Sequence, residues 1–543
     1  MPQYALNVDA LIVFILYLIA IAIIGYFGAK RTKTVADFVA ASGQLGFWTY
    51  VLLMVGSVLS GMSLIGVAGL GFTSGWSNVW ERVIGPAFAI SFCTVLVGYK
   101  LWPLRKKYNL LTIQDYFAIR YEDPKAMRAI AGIISAITCF AYLLGQFAAI
   151  GVVSEVILGV PYFIGSLIAL LVVVGYVMTG GMFSTAWTTF LQAILMIAGV
   201  YITVPIIIQW VGGWTALNEL ASQVPTLQQT YRGQPPTYLF GPFLDKPGSL
   251  DPRLTLVGWT FNFTLFGITV PLGLLVAPHI VNNVLCYKDV KYTKWAPIVT
   301  YVLAVILLLF TSIAGLAARV AWAQGRLDLK ALTLAGGVTV AWSDMAYPTI
   351  ATLALPYALF IFLLPCVLAA VMSTTDRLLV TAASNISYDV VKNVFKPDIS
   401  EKALTWISRG LVAAFGIIAW ALTITPQPML AWFIWAALSV IISTFLWPVL
   451  GGLYWRRMNK HAARWGMIVG LVTSLVFVYL AYEYWGRAVR VVVDTTTLFV
   501  MFPSIPGLIA STIVTLILAY VTKPQSEQVL KETLTGPFLR ARS

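Results

Sequence analysis

Charge is scarce in this 543-residue chain: Asp, Glu, Lys and Arg make up 10% of it, against roughly 25% in an ordinary soluble domain. Hydrophobic residues make up 59%, and the mean hydropathy is +0.86. The polar residues needed to cover the several soluble domains that such a length permits are missing. A soluble enzyme, a nucleic-acid-binding protein and a disordered chain are therefore excluded. Histidine is rarer still, with only His279 and His461, too few for a haem or zinc cluster. Cys93, Cys139, Cys286 and Cys366 lie in or beside apolar runs without a CxxC pair, so they read as small buried hydrophobes. No His, Cys or acid cluster supports a nucleophile or a metal-based reaction, so the chain reads as no enzyme and as carrying no cofactor.

What the sequence does contain is long apolar runs. A membrane helix needs about 20 mostly apolar residues, and thirteen such regions are predicted, near 9–29, 46–72, 80–103, 127–157, 161–180, 184–211, 254–285, 294–322, 350–390, 404–424, 429–454, 462–485 and 499–521. The first shows no cleavage pattern and stays in the chain. The region 350–390 is too long for one crossing and contains a short outer segment around Pro356 before the membrane helix. The fold class is thus an all-α polytopic membrane protein with about 13 transmembrane helices. A transmembrane domain fills 1–523, and a short cytoplasmic tail fills 524–543.

The distribution of Lys and Arg orients the spans. With the N-terminus outside, the loops 30–45, 104–126, 286–293, 391–403, 455–461 and the tail face inward. With their helix ends they carry 23 of the 35 basic residues, against 8 on the outer segments. Such a bias marks the cytoplasmic side, so the expectation is a cell-membrane protein with its N-terminus outside and its C-terminus in the cytoplasm. The net charge of +14 is then mostly topology. The outer stretches 212–253 and 323–348 read equally as lids or connectors, with Thr215–Gln223 as a possible short helix. Leu110–Tyr121 has the pattern of an interfacial amphipathic helix.

Function is sought where a span breaks the bilayer rules. The second span carries Gly56, Ser57, Ser60, Gly61 and Ser63, then Gly66, Gly69 and Gly71, a density that weakens a helix. The seventh repeats the anomaly with Gly267, Pro271, Gly273, Pro278 and His279; each proline removes a helix hydrogen bond. Interrupted helices at matching positions of two halves point to the binding site of a secondary transporter. The two breaks lie five spans apart, so the chain divides into five-helix repeats at about 46–211 and 254–454, inverted because five is odd. The helices 9–29, 462–485 and 499–521 are additional. Break positions alone relate the halves. In the ninth span, Ala370, Ser373 and Thr374 fall at i, i+3 and i+4 and share a face. One carbonyl and two hydroxyls there are hard neutral oxygens suited to a small alkali cation, and carbonyls freed near Gly56 and Leu59 would complete the set. Asp376 and Arg377 follow at membrane depth, where ionisable residues mark function by default; the reading is an inner gate or exit path.

Four motifs carry a resemblance. They are Tyr176 through Gln192, with Gly180-Gly181 and Trp187; Ala370 through Thr374, with Asp376, Leu378 and Leu379; Pro278-His279-Ile280; and Ser60 through Gly75. Together they resemble the sodium:solute symporter family, most of all its acetate and monocarboxylate permease branch, with the proline symporter branch next. The resemblance implies a leucine-transporter-like inverted-repeat fold working by alternating access. It implies a sodium site from carbonyls of Gly56, Leu59 and Ala370 and hydroxyls of Ser373 and Thr374. It places the solute beside Ser57, Ser60, Tyr142, Gln146, Phe263 and Gly267, since Tyr142 and Gln146 resemble a Tyr-x-x-x-Gln pattern of the acetate branch.

Departures sharpen the expectation. Thr189 stands where many members have an Asp associated with a further cation site, so one sodium per cycle is expected. Val58 replaces an acidic residue of the proline branch, and Asn283 an arginine. The expected function is sodium-coupled symport of a small organic solute, a monocarboxylate such as acetate, lactate or pyruvate. A proton- or sodium-coupled carrier of an amino acid or pantothenate is the alternative. A channel would need a continuous polar pore, and a sensor a signalling domain. Expected partners are the solute, Na+ and the bilayer, with no nucleic acid, in a monomer or weak homo-oligomer.

Overall fold

The computed structural model describes residues 6–223, 268–333, 339–424, 431–487 and 504–534. Helix α1 (Val8–Ala29) starts at Asn7, whose side chain accepts from the Ala10 N–H at 3.0 Å. Short α2 (Val35–Ala40) leads to the second span, split into α3 (Phe47–Val58) and α4 (Val67–Ser74), the latter entered through a wide turn at Met62–Gly66. The third span joins α5 (Trp76–Cys93) to α6 (Tyr99–Tyr108). Then come α7 (Ile113–Arg120), α8 (Ala126–Val153), α9 (Tyr162–Trp210) and α10 (Gly213–Gln223). The second half opens with α11 (Val270–Leu275), α12 (Pro278–Asn283) and α13 (Tyr292–Ala323). A two-stranded antiparallel ribbon, β1 (Ala331–Thr333) and β2 (Thr339–Ala341), precedes α14 (Ala346–Ala354) and α15 (Tyr357–Ser384), which runs on through Asn385–Phe395. Helices α16 (Glu401–Leu422), α17 (Ala431–Leu446), α18 (Lys460–Arg487), α19 (Ser504–Val521) and α20 (Glu527–Leu534) complete the chain.

Among the described residues, 10 helices are long and apolar enough to cross a membrane, and a pair bent by 60° in the second span raises this to 11. Helix α9 accounts for two crossings. Its 49 residues would reach about 73 Å as one rod, at about 1.5 Å per residue. Gly181 breaks it with φ +50° and ψ −137°, a conformation natural only for glycine. The Gly180 carbonyl accepts from Thr32 on one face of the bundle, while the far end at Trp210 accepts from Arg326 on the other. Helices α11 and α12 are the described part of the seventh expected span. The outer segment expected near Pro356 is α14, and the expected short helix near 215–223 is α10.

Side-chain contacts sort the loops onto two faces. On one, Lys288 N–H reaches Leu45, Arg105 binds the carbonyls of Gly43 and Tyr287, and Val35 N–H meets Glu401. Lys107 pairs with Glu532, Arg464 with Asp123, and Arg456 with Glu527. On the other face, Lys330 pairs with Glu155, Tyr357 donates to Asp9, and the Asn7 N–H meets the Leu158 carbonyl. The loops grouped by their basic residues thus do share a face.

The layering follows from lipid being the solvent. Helices α8, α15 and α17 are mostly buried, whereas α1, α16, α18 and α19 are the least buried of the spans. Ile12, Ile418, Val472 and Ile513 point outward, where acyl chains satisfy them as well as a core would. One expectation fails. Helix α7 is not interfacial: Ile113–Ala118 and Arg120 are buried. Polar partners pull it inward. Arg128 pairs with Asp115 at 2.6 Å, Arg120 donates to the carbonyls of Gly452 and Trp455, and Asn282 accepts the Ile113 N–H.

Close backbone approach joins α4 to α13. A Cβ on Gly315 would run into the Ala68 carbonyl, and one on Gly71 into that of Ser312. Gly315→Val is expected to destabilise the detergent-solubilised protein by about 1–3 kcal/mol or more. Gly410→Ala, with open space around it, is expected to leave the melting temperature unchanged or raise it slightly. Thermal melts of both variants check this contrast.

Candidate functional site

Helix α3 ends where Leu59 leaves the helical region (φ −77°, ψ 90°). The carbonyls before the break and the N–H groups after it then have no partner in their own helix. In a bilayer such groups must be satisfied within the protein. The Leu59 N–H still reaches Val55, and Ser60 accepts from the N–H groups of Ser63 and Leu64. Side chains supply the rest. Gln146 of α8 accepts the Gly61 N–H at 3.1 Å, and Ser60 Oγ accepts that of Met62 at 3.1 Å. The Gly56 carbonyl accepts from Ser373 Oγ at 2.8 Å and from Thr374 Oγ1 at 3.2 Å, both on α15. Ser373 Oγ also lies 3.1 Å from the Ala370 carbonyl.

Four of the five residues expected to hold a cation, Gly56, Ala370, Ser373 and Thr374, therefore form one buried cluster of uncharged oxygens. Leu59 sits at the break itself, its carbonyl turned off the helix ladder. The set suits a hard, weakly hydrated monovalent ion, because all the ligands are neutral oxygens. The hydroxyls now donate to Gly56; with an ion present, the same oxygens would turn their lone pairs to it.

The residues expected to meet the solute divide. Tyr142 lines a cavity of about 50 Å³ together with Met62, Ser63, Pro86, Val270, Leu274 and Trp435. Its ring meets the ring of His279 edge-on at 5.5 Å. Gln146 and Ser60 act first as caps of the broken helix, although Gln146 Nε2 has no hydrogen-bond partner. Ser57 lies one step further in, donating to the Leu53 carbonyl at 2.5 Å and accepting from Asn283 Nδ2 at 2.9 Å. Phe263 and Gly267 lie outside the described residues.

Asp376 and Arg377 are both fully buried and contact different partners. Asp376 Oδ2 accepts from Tyr176 at 3.0 Å and lies 3.4 Å from Thr188 Oγ1, both on α9. Arg377 Nη1 contacts Met182 Sδ. Sequence reasoning missed His279, Asn283 and Thr189 as site residues. Both ring nitrogens of His279, Asn283 Oδ1 and Thr189 Oγ1 are buried without a hydrogen-bond partner among the described residues, and such groups call for a ligand or water. The rarity of histidine and the Pro278 break beside it were the available signal.

Comparison with known proteins places this geometry. The model of the sodium:solute symporter family matches residues 38–470. The uncharacterized symporter YwcA of Bacillus subtilis is 26% identical over 89% of this chain and 88% of its own length. The high-affinity proline transporter PutP of the same organism is 27% identical over 84% and 89%. The sodium/proline symporter of Salmonella typhimurium is 25% identical over 87% and 88%. The solved structure of a Na+-coupled sialic acid symporter, substrate-bound and outward-open, superposes with a TM-score of 0.71 at 18% identity, covering 95% of this chain and 98% of that one. The leucine-transporter-like fold class is thereby shown.

A cation that binds only the folded state stabilises it, by about 2.7 kcal/mol at 100 times its dissociation constant. The melting temperature is expected to rise when NaCl replaces choline chloride at constant ionic strength. The double substitution of Ser373→Ala and Thr374→Ala is expected to abolish that rise. An undiminished rise in the double variant contradicts the assignment.

Proposed function

The chain belongs to the sodium:solute symporter family and is a sodium-coupled, multi-pass membrane symporter, and from that premise we infer that its solute is a short monocarboxylate. The reading rests on the cavity beside the broken helix. It is small and mostly apolar, with the hydroxyls of Ser63 and Tyr142 and no Asp, Glu, Lys or Arg among its described lining residues. Such a lining suits a compact apolar body with one polar end, and offers no carboxylate to an ammonium group. The positive end of the half-helix that begins at Gly61 favours an anion without requiring a basic side chain. Gly56, Leu59, Ala370, Ser373 and Thr374 bind the sodium ion; Ser57, Ser60, Tyr142 and Gln146, with Phe263 and Gly267, surround the solute. The protein lies in the cell membrane with its N-terminus outside, so that uptake runs down the inward sodium gradient.

Coupling needs sodium and solute to favour the same conformation through differential affinity. The cluster supplies this. Its oxygens come from α3 and α15, and Gln146 and Tyr142 of α8 tie the same break to the cavity. An ion bridging α3 and α15 holds the break in one arrangement, and the solute sits on the other side of that break. A second reading, proline, is favoured by the names of the proline-transporting relatives, whose solute also pairs a carboxylate with a compact apolar ring.

Charge separates the two readings. One sodium with one monocarboxylate anion moves no net charge, whereas one sodium with zwitterionic proline moves one. A charge crossing 100 mV is worth about 2.3 kcal/mol, or roughly fifty-fold in accumulation. Proteoliposomes are expected to accumulate acetate, lactate or pyruvate when sodium is outside, at a rate unchanged by an inside-negative potential. Proline uptake stimulated by the potential supports the second reading. Uptake of any of these without sodium dependence contradicts both.

A further inference from the structure

Two donors of Arg377 have no acceptor among the described residues. It is fully buried in α15, a membrane-spanning helix, and no ion pair within 4.0 Å among the described residues includes it. Nη1 contacts the sulfur of Met182, a weak acceptor, while Nε and Nη2 have no hydrogen-bond partner among the described residues. Those two nitrogens form one edge of the guanidinium fork, the edge that receives a carboxylate through two parallel hydrogen bonds. Asp376 does not occupy it, being turned to Tyr176 and Thr188.

The place of this edge matters as much as its vacancy. Arg377 follows Ser373 by four residues, so it lies on the same face of α15, one turn nearer the face where Lys392 meets Glu401. Helix α12 packs against both α3 and α15. On it, His279 and Asn283 are also four residues apart and descend in the same direction, toward Lys288. The upper of the two, His279, faces the cavity residue Tyr142, and the lower, Asn283, reaches Ser57. Arg377 feels the charge of the neighbouring Asp376 first, and is also within electrostatic reach of His279 and of Cys286. A buried polar track therefore runs from the cavity past His279, Asn283 and Ser57 toward Arg377. It ends below α7, where the Asn282 contact to Ile113 and the Arg128–Asp115 pair close the inner face.

We propose that Arg377 is an exit subsite for the carboxylate of the solute, engaged after the solute leaves the cavity and before it reaches the inner face. The proposal rests on the carboxylate reading above. The free fork draws the anion past the sodium cluster, so that release inward is stepwise. A neutral solute gains nothing from it.

The test uses the full chain in oriented proteoliposomes, with acetate, lactate, pyruvate and proline as probes, measuring KM from each side. In Arg377→Gln the outer-side KM is expected to stay within about two-fold of wild type. Its inner-side KM is expected to rise about ten-fold or more, as the loss of a charge-assisted pair implies. Arg377→Lys, which keeps the charge but not the fork, is expected to fall between. The sodium-induced thermal shift is expected to persist in both, showing that the fold and the sodium cluster are intact. Equal KM values in wild type and Arg377→Gln on the inner side overturn the subsite alone. So does an equal loss on both sides with loss of the thermal shift, which marks a structural role. If the wild-type protein transports none of the four probes, the carboxylate reading itself falls and the subsite with it.

Discussion

An unpaired backbone group inside a bilayer has no water to turn to, and a helix broken at Leu59–Gly61 exposes several. That constraint organises the centre of this protein. Ser373 and Thr374 satisfy the Gly56 carbonyl, Gln146 satisfies the Gly61 N–H, and Ser60 satisfies that of Met62. These partners come from α15, α8 and the break itself, so the break is held only where those helices meet. Helices α8 and α15, which service it, are among the most buried of the bundle.

The same constraint explains why the proposed cation site falls there. Carbonyls that lose a helix partner and hydroxyls that replace it are a ready set of neutral oxygens. Occupying them with an ion exchanges one kind of satisfaction for another, without burying an acidic side chain. Because the donors sit on two helices, the exchange alters how firmly those helices are joined. Sodium and solute can therefore favour one arrangement together, which is the physical content of coupling.

Much of this was legible in the sequence. The spans followed from apolar length, because bilayer thickness is a fixed ruler. The shared face of the basic loops followed from Lys and Arg, and the contacts among Lys107, Glu532, Arg464 and Asp123 agree with it. The cluster at Gly56, Ala370, Ser373 and Thr374 followed from helical spacing and a break. What stayed hidden depends on distance in three dimensions. The stretch Leu110–Tyr121 reads as an interfacial helix, yet Arg128, Asn282, Gly452 and Trp455 draw α7 into the bundle, and none of these lies within its own segment. The role of Asn283 depends on Ser57, more than two hundred residues away. The divergence of Asp376 and Arg377 follows from the helix turn between them; which partner each finds does not.

The central claim is that neutral oxygens at the break of the second span bind one sodium ion. Equilibrium binding of radioactive sodium to the purified wild-type protein, with choline as the balancing cation, tests it most directly. The account predicts one saturable site per chain that is lost when Ser373 and Thr374 are both replaced by alanine. Saturable binding that survives that replacement, or no saturable binding at all, would contradict it.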